Sequence, residues 1–317
     1  EGKAMDKIVR INMGGEAGPK VSTGPLGDYA GFGGRAMTSA IVSKEVPPLC
    51  HPLGADNKLI IAPGMLSGSV AAMSGRISVG CKSPLTGGIK EANSGGQPSQ
   101  MLGRLGYAAI VLEGKPKDDT LYKVLINADG VQVTPDNSLK MLGNYDLVAK
   151  MNAEYGDKIA CISIGQAGEQ KLSAASIAFT DMEQRPTRHA GRGGVGAVMG
   201  AKGVKVIVVD DAGMSTRSPA NPEKFKAANK AFVAGLKKHP VTGEYDAPYE
   251  FARTMCLATS RAIEAQPVGV VYVNYKDLDG LEADCLRDRK AGFIGKIAIH
   301  PAQSEVINRA FTPSADE

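Results

Sequence analysis

Ala190-Gly191-Arg192-Gly193-Gly194-Val195-Gly196-Ala197-Val198-Met199-Gly200 is the densest run of glycine in the chain, and its reading separates two fold classes. Residues 191–196 satisfy G-x-G-x-x-G, and Asp211 follows at about the distance where a dinucleotide-binding fold places its ribose acid. That motif works where a buried strand feeds the turn and aims its amides at a pyrophosphate. Here the residues before it are Asp181-Met182-Glu183-Gln184-Arg185-Pro186-Thr187-Arg188, polar and broken by proline. The doubly wound dinucleotide fold is set aside on that ground.

Working outward from this run, short apolar or alternating segments predict strands at 7–12, 58–62, 77–81, 108–112, 120–126, 131–133, 158–164, 172–179 and 204–209. Helical patterns are fewer, at 36–43, 98–105 and 146–155, so residues 1–212 read as an α+β domain dominated by sheet. Glycine marks the same boundary: 32 of the 39 glycines fall before residue 211. Beyond it the texture changes. Residues 222–236 predict a helix, broken by His239-Pro240-Val241-Thr242-Gly243, and 213–245 reads as the helical start of a further domain. Residues 246–317 then alternate helix 250–265, strand 268–274, helix 278–291, strand 295–300 and a last helix from Pro301. That is the α/β texture of a parallel sheet or (β/α) barrel.

The chain of 317 residues carries a net charge of +4, without a basic patch interleaved with aromatics, which argues against a nucleic-acid partner. The longest apolar runs are strand-sized, so no membrane span is expected. Five widely spaced cysteines, Cys50, Cys81, Cys161, Cys256 and Cys285, form no disulfide framework or Cys-x-x-Cys pair, and the expectation is a reducing, cytoplasmic setting. The chain starts at Glu1, which leaves a processed or trimmed N-terminus open. His51, His189, His239 and His300 are equally scattered, with no His/Cys spacing suited to a local metal site.

Four loops combine glycine with polar or cationic residues: Gly33-Gly34-Arg35, Gly75-Arg76, Asn93-Ser94-Gly95-Gly96, and Arg188 through Gly196. Glycine lets backbone N–H groups approach a ligand closely, and arginine supplies a planar fork for phosphate oxygens. Together they describe a site for a large phosphate-bearing cofactor. The alternative is that these glycines serve tight turns, with Arg76 and Arg188 in surface ion pairs, Asn93 capping the next helix and His189 an exposed loop residue.

The segments Asn57-Lys58-Leu59-Ile60, Pro63-Gly64, Ser74-Gly75-Arg76, Lys82 to Gly87, Asn93 to Gly96, Gly106-Tyr107-Ala108, Glu113-Gly114-Lys115, Ile164 to Glu169 and Ala190 to Gly200, in that order, closely resemble the N-terminal domain of the aldehyde ferredoxin oxidoreductases. The likeness runs over about residues 5–212 and fades through His239 to Glu244. It implies a sheet-rich two-sheet domain that binds a tungsten or molybdenum ion chelated by two pterins, with magnesium bridging the pterin phosphates. The metal takes no protein ligand in that family. By motif, Asn93 supplies magnesium with its side-chain oxygen and His189 with its backbone carbonyl. Arg76 and Arg188 sit near the phosphates and metal centre. Ser94, Gly95, Gly96, Gly191, Arg192, Gly193 and Gly194 line the cofactor. His189 stands where the family commonly has alanine, so its ring has no assigned role.

The resemblance implies aldehyde-to-carboxylate oxidation with electrons passed to ferredoxin or an iron–sulfur subunit. Family members run to roughly twice this length and carry a [4Fe–4S] cluster on Cys-x-x-Cys-x-x-x-Cys plus a distant cysteine. Those ligands have no counterparts here, and no catalytic acid or base is assigned. Activity of this chain alone is therefore in question.

A second resemblance covers about residues 249–317. Val271 to Gly280, Gly292 to Gln303 and Ile307 to Ser314 are similar to the C-terminal end of the citrate lyase β-subunit family, the last two units of a (β/α)8 barrel. That likeness implies, as an alternative, a CoA-thioester carbon–carbon lyase; a non-catalytic assembly module is a third reading. Homo-oligomerisation stays open, as does the origin of a junction near residue 245.

Overall fold

Fully buried runs such as Leu59-Ile60-Ile61-Ala62-Pro63 and Val204-Lys205-Val206-Ile207-Val208-Val209 form the middle of two sheets in the computed structural model, which describes residues 4–235, 248–262 and 264–313. Strands covered on both faces lose the alternating pattern and read as continuous apolar stretches. In chain order the first half holds β1 (Lys7–Asn12), β2 (Lys20–Pro25), α1 (Gly34–Glu45), β3 (Leu59–Pro63), β4 (Ile77–Lys82), β5 (Ile89–Ser94), α2 (Gln97–Leu105) and β6 (Tyr107–Glu113). The second half holds β7 (Tyr122–Asn127), β8 (Gly130–Pro135), α3 (Asn144–Tyr155), β9 (Ala160–Ser163), the one-turn α4 (Gln166–Glu169), β10 (Ile177–Phe179), β11 (Arg188–Ala190), α5 (Val195–Ala201) and β12 (Val204–Val209).

The first sheet runs β2-β1-β6-β3-β4-β5 and the second β8-β7-β12-β9-β10-β11. Each strand of one therefore has its counterpart six strands later in the other. Directions agree as well: β1 with β6 and β7 with β12 are the parallel pairs, and the remaining neighbours are antiparallel. Residues 7–209 thus repeat one plan twice. The two sheets face each other across a core that includes Val9, Ile11, Ile61 and Val79 from the first and Val124, Ile162, Phe179 and Ile207 from the second. On the outer faces α1 packs through Met37, Ile41 and Val42, and α3 through Leu147, Val148 and Met151.

The halves clasp each other reciprocally. Ser83, just past β4, donates its hydroxyl to Gly193 O at 2.7 Å in the β11–α5 loop. In return, Gln97 N at the end of the β5–α2 loop donates to Thr180 O at 2.9 Å, just past β10. This crossing brings the edge strands β5 and β11 alongside one another.

Several local expectations change. Of the strand expected at 172–179 only Ile177–Phe179 forms, because Leu172 N turns back to Ala167 O and Ala175 O is taken by Gly196 N. Asn93 and Ser94 end a strand instead of lying in a loop. Residues 195–201 are helix α5, and its glycines permit close packing: a Cβ at Gly200 would overlap Gly168 O, and one at Gly196 would overlap Ser176 O.

The first compact unit continues past 212 to Asn229. There Arg217 donates to Met65 O at 2.9 Å and Ser67 O at 2.8 Å, and Asn229 Oδ1 accepts from Ala72 N at 2.9 Å. The stretch His239 to Glu244 lies outside the described residues.

The second unit runs from Lys230. After α6 (Pro222–Gly235), which begins in the first unit, it holds α7 (Pro248–Ala262), β13 (Val268–Gly269), α8 (Leu278–Ala291), β14 (Gly295–Lys296) and α9 (Ala302–Phe311). The order α-β-α-β-α matches the sequence reading, and β13 pairs with β14 in parallel. Each strand is only two residues long where six or seven were expected, and Val270 and Val273 beyond β13 are exposed. Helices α8 and α9 pack through Leu281, Cys285, Val306 and Ile307. Among the described residues, no helix is long and apolar enough to cross a membrane.

Candidate cofactor-binding site

The β4–β5 ladder pairs Ile77 with Ser94 and Ser78 with Asn93. Alternation along a strand sends neighbours to opposite faces, so buried Ile77 and Ser94 point inward while Ser78 and Asn93 share the outer face. Arg76, one residue before β4, donates from Nε to Asn93 Oδ1 at 2.6 Å. Asn93 Nδ2 donates to Ser78 Oγ at 3.1 Å, Ser78 donates to Glu91 Oε1 at 2.7 Å, and Arg35 pairs with Glu91 at 3.2 Å. The Cβ direction of Gly34 points at Ser78 Oγ, 3.7 Å away. Three of the four glycine-and-cation loops therefore meet at one point. Below them the buried Ser99 of α2 donates to Arg76 O at 2.8 Å, which also accepts from Gly64 N at 3.0 Å.

The fourth loop arrives on β11. Its register with β10 sets Ile177 opposite Ala190 and Ala178 opposite His189, the same arrangement as Ile77–Ser94 and Ser78–Asn93. Ala190 is buried, whereas Arg188 and His189 are exposed, and His189 Nδ1 lies 2.9 Å from Ser176 Oγ. Past the strand, Gly193 and Gly194 both take φ +71°, where a side chain is strained. A Cβ at Gly193 would overlap the Lys90 side chain of β5, and one at Gly194 would overlap Ser173 O. Both residues are buried, and among the described residues no acceptor is paired with their N–H groups. Gly191 faces open space and Arg192 is exposed. In the partner loop Gly95 has Arg76 Nη1 3.6 Å from its Cβ position, and Gly96 at φ +123° lies against Thr180 O.

At this junction Glu91 is the carboxylate of the network and is paired with Arg35. Among the described residues no carboxylate lies within ion-pair distance of Arg76, Arg188 or Arg192. Elsewhere cations are matched, as where Arg10 and Lys58 both meet Glu45. Guanidinium groups without a carboxylate partner favour an anion. Arg76, Arg188, His189 and Arg192 are all exposed. A cleft of about 220 Å³ lined by Lys115, Asp118, Lys140, Glu169 and Lys171 involves none of these residues.

The donor set fits a phosphate-bearing group. Asn93 Oδ1 uses one of its two lone pairs on Arg76 and keeps another for a hard cation such as magnesium. Among the described residues no three His, Cys, Asp or Glu side chains converge, so a heavy metal here would rely on donors carried by the ligand. Cys81 and Cys161 lie buried in β4 and β9, and burial pushes both thiols up to about 12.

Sequence reasoning did not find Ser78, Ser99 or Ser176. Their roles come from strand register and from a helix packed behind β4, which a linear reading does not supply. The repeat itself had left a trace: Met101-Leu102-Gly103-Arg104-Leu105-Gly106 and Val198-Met199-Gly200-Ala201-Lys202-Gly203 lead into β6 and β12 alike.

Comparison with known proteins follows the same division of the chain. Residues 8–211 match the sequence family described as aldehyde ferredoxin oxidoreductase, N-terminal domain. A tungsten-containing aldehyde ferredoxin oxidoreductase of Pyrococcus furiosus is 38% identical over 213 residues, covering 67% of this chain and 34% of that protein. Among solved structures, the active site complex BamBC of benzoyl coenzyme A reductase, in complex with 1,5-dienoyl-CoA, superposes with a TM-score of 0.65 at 28% identity, over 73% of this chain and 34% of that one. A shorter match, 48% identical over 63 residues, is to a (3S)-malyl-CoA thioesterase of Cereibacter sphaeroides, covering 20% of this chain and 22% of that protein. The chain spans about a third of the length of the aldehyde-oxidoreductase relative.

Proposed function

The chain belongs to the aldehyde ferredoxin oxidoreductase family through its N-terminal domain at residues 8–211, and from that premise we propose that the β5–β11 junction carries a bis-pterin tungsten or molybdenum cofactor. The observation that supports this most is the crossing of the two halves. Asn93, bonded by Arg76 from just before β4, stands on the edge strand β5, and beside it runs the edge strand β11 with Arg188 and His189, followed by the Gly193-Gly194 turn.

When bound, the cofactor supplies a two-electron redox centre suited to converting an aldehyde to a carboxylate. The chain's own residues bind and orient it. Arg76 and Arg188 neutralise phosphate charge, and Arg76 also fixes the Asn93 amide so that its oxygen serves magnesium. The carbonyl of His189 is the second protein oxygen for that cation. The backbone N–H groups of Gly193 and Gly194 serve as anion donors, while Ser94, Gly95, Gly96, Gly191 and Arg192 line the cofactor around them. Ferredoxin or an iron–sulfur subunit would be the electron acceptor for such a centre. Residues 246–317 are read as the end of a citrate lyase β-like α/β unit, a reading that the α-β-α-β-α order and the parallel β13–β14 pair support.

The test is release of oxidised pterin from the full chain purified from cells that make the bis-pterin cofactor. Two fluorescent pterins per chain are expected, and chain free of pterin would overturn the reading.

A further inference from the structure

Asn93 has an assigned task and His189, its counterpart in the second half, has a ring without one. Both stand one residue before the end of an edge strand, opposite Ser78 and Ala178. Each side chain is also held by the residue just before the neighbouring strand. Arg76 Nε bonds Asn93 Oδ1 at 2.6 Å, and Ser176 Oγ bonds His189 Nδ1 at 2.9 Å. Inward-facing Ala190 puts His189 on the outer face of its sheet, as Ser94 does for Asn93. His189 is exposed, and along the chain it stands between Arg188 and the Gly193-Gly194 turn.

We propose that His189 is a second ligand-contacting side chain of this junction, donating its Nε2–H to a phosphate oxygen while Ser176 fixes the ring. The proposal rests on the phosphate-bearing reading above. With the Ser176 hydroxyl as donor to Nδ1, the proton of a neutral imidazole resides on Nε2, which is then a donor. Among the described residues neither Arg188 nor Arg192 has a carboxylate within ion-pair distance, and the nearby Asp181 is taken up by Arg185 and Thr187. The repeat thus offers a side chain to the ligand from each half: an amide oxygen from the first for the cation, and an imidazole N–H from the second for the phosphate.

Calorimetric titration of the full chain with magnesium pyrophosphate tests this, with folding of every variant checked by circular dichroism. His189→Ala is expected to weaken binding about tenfold, the worth of one hydrogen bond to a charged group. His189→Gln, which keeps an N–H donor at similar reach, should restore most of it, and Ser176→Ala should fall between. In the wild-type chain labelled with 15N-histidine, His189 should show the Nε2–H tautomer, and its Nε2 resonance should move as pyrophosphate is added. That measurement decides the matter should His189→Ala fail to fold. Wild-type affinity in His189→Ala alongside a loss in Asn93→Ala overturns the role of His189 and leaves the site intact. An Nδ1–H tautomer overturns it too. Failure of the wild-type chain to bind overturns both this proposal and the reading beneath it.

Discussion

Asn93 and His189 occupy the same position in two copies of one six-stranded plan, and the edges that carry them, β5 and β11, lie side by side. Neither residue is near the other in sequence. The two edges are tied together where Ser83 reaches the Gly193 loop and Gln97 reaches Thr180. Whatever disturbs that clasp should disturb both halves of the candidate site together.

The glycines of the second loop divide into those that must be glycine to fold and those that need not be. At Gly194, φ is +71° and an added Cβ would overlap Ser173 O, whereas Gly191 meets open space. Gly194→Ala is therefore expected to destabilise the domain by about 3 kcal/mol or more, and Gly191→Ala by less than about 0.5 kcal/mol. Urea denaturation of the two variants checks the contrast, and similar losses in both would contradict it.

Lys202 is a second point where distant segments are tied together. Its fully buried ammonium donates to the carbonyls of Gly54 at 3.0 Å, Ala55 at 3.2 Å, Asn57 at 2.5 Å and Gly114 at 2.7 Å. Lys202→Met would leave those carbonyls without that donor, at a cost of about 3 kcal/mol or more. A chemical melt showing a loss below about 1 kcal/mol would mean that water or a side chain replaces the ammonium easily.

Acid stability should depend on Glu45. Burial alone would raise its carboxyl, but hydrogen bonds from Arg10, Lys58 and Tyr29 outweigh that and hold it at about 2. An unfolded carboxyl titrates near 4.5, so the unfolded chain takes up its proton first as pH falls. The stabilisation is whole above about pH 4.5 and drains away between there and about pH 2. Glu45→Gln should be less stable at pH 7 and should show a flatter stability curve through that window. A parallel curve would assign the acid sensitivity elsewhere.

In the second unit, Asp288 is 2% exposed and is held by Lys296 and Arg253. Asp288→Ala would leave the Lys296 ammonium, also buried, with Asp284 as its remaining acid. Removing one partner of a buried pair costs about 3–5 kcal/mol. Loss of helicity in α7–α9 by hydrogen exchange, with the first unit still protected, is the expected result. Unchanged protection of α8 would contradict it.

The sheet-rich α+β class was legible because β-branched runs such as Val204 to Val209 leave few alternatives. The helix after Asn144 and the α/β order of the last 70 or so residues were legible from periodicity for the same reason. The pairing of Arg76 with Asn93 was not, since it depends on which strand lies beside β4. The helix at Val195–Ala201 was hidden because glycine at 196 and 200 lowers helix propensity, and only contact with Ser176 and Gly168 explains those residues. Past residue 212, Arg217 and Asn229 have polar side chains that look like linker until their carbonyl and amide partners at 65–72 are seen.

The central claim concerns what the β5–β11 junction holds, and its most direct test is elemental. Full chain prepared from a tungstate-supplied host that makes the bis-pterin cofactor should carry about one tungsten per polypeptide. An Arg76→Ala/Arg188→Ala double variant that is folded by circular dichroism should carry little. Tungsten and molybdenum both absent from the wild-type chain, or equally present in the variant, would contradict the account.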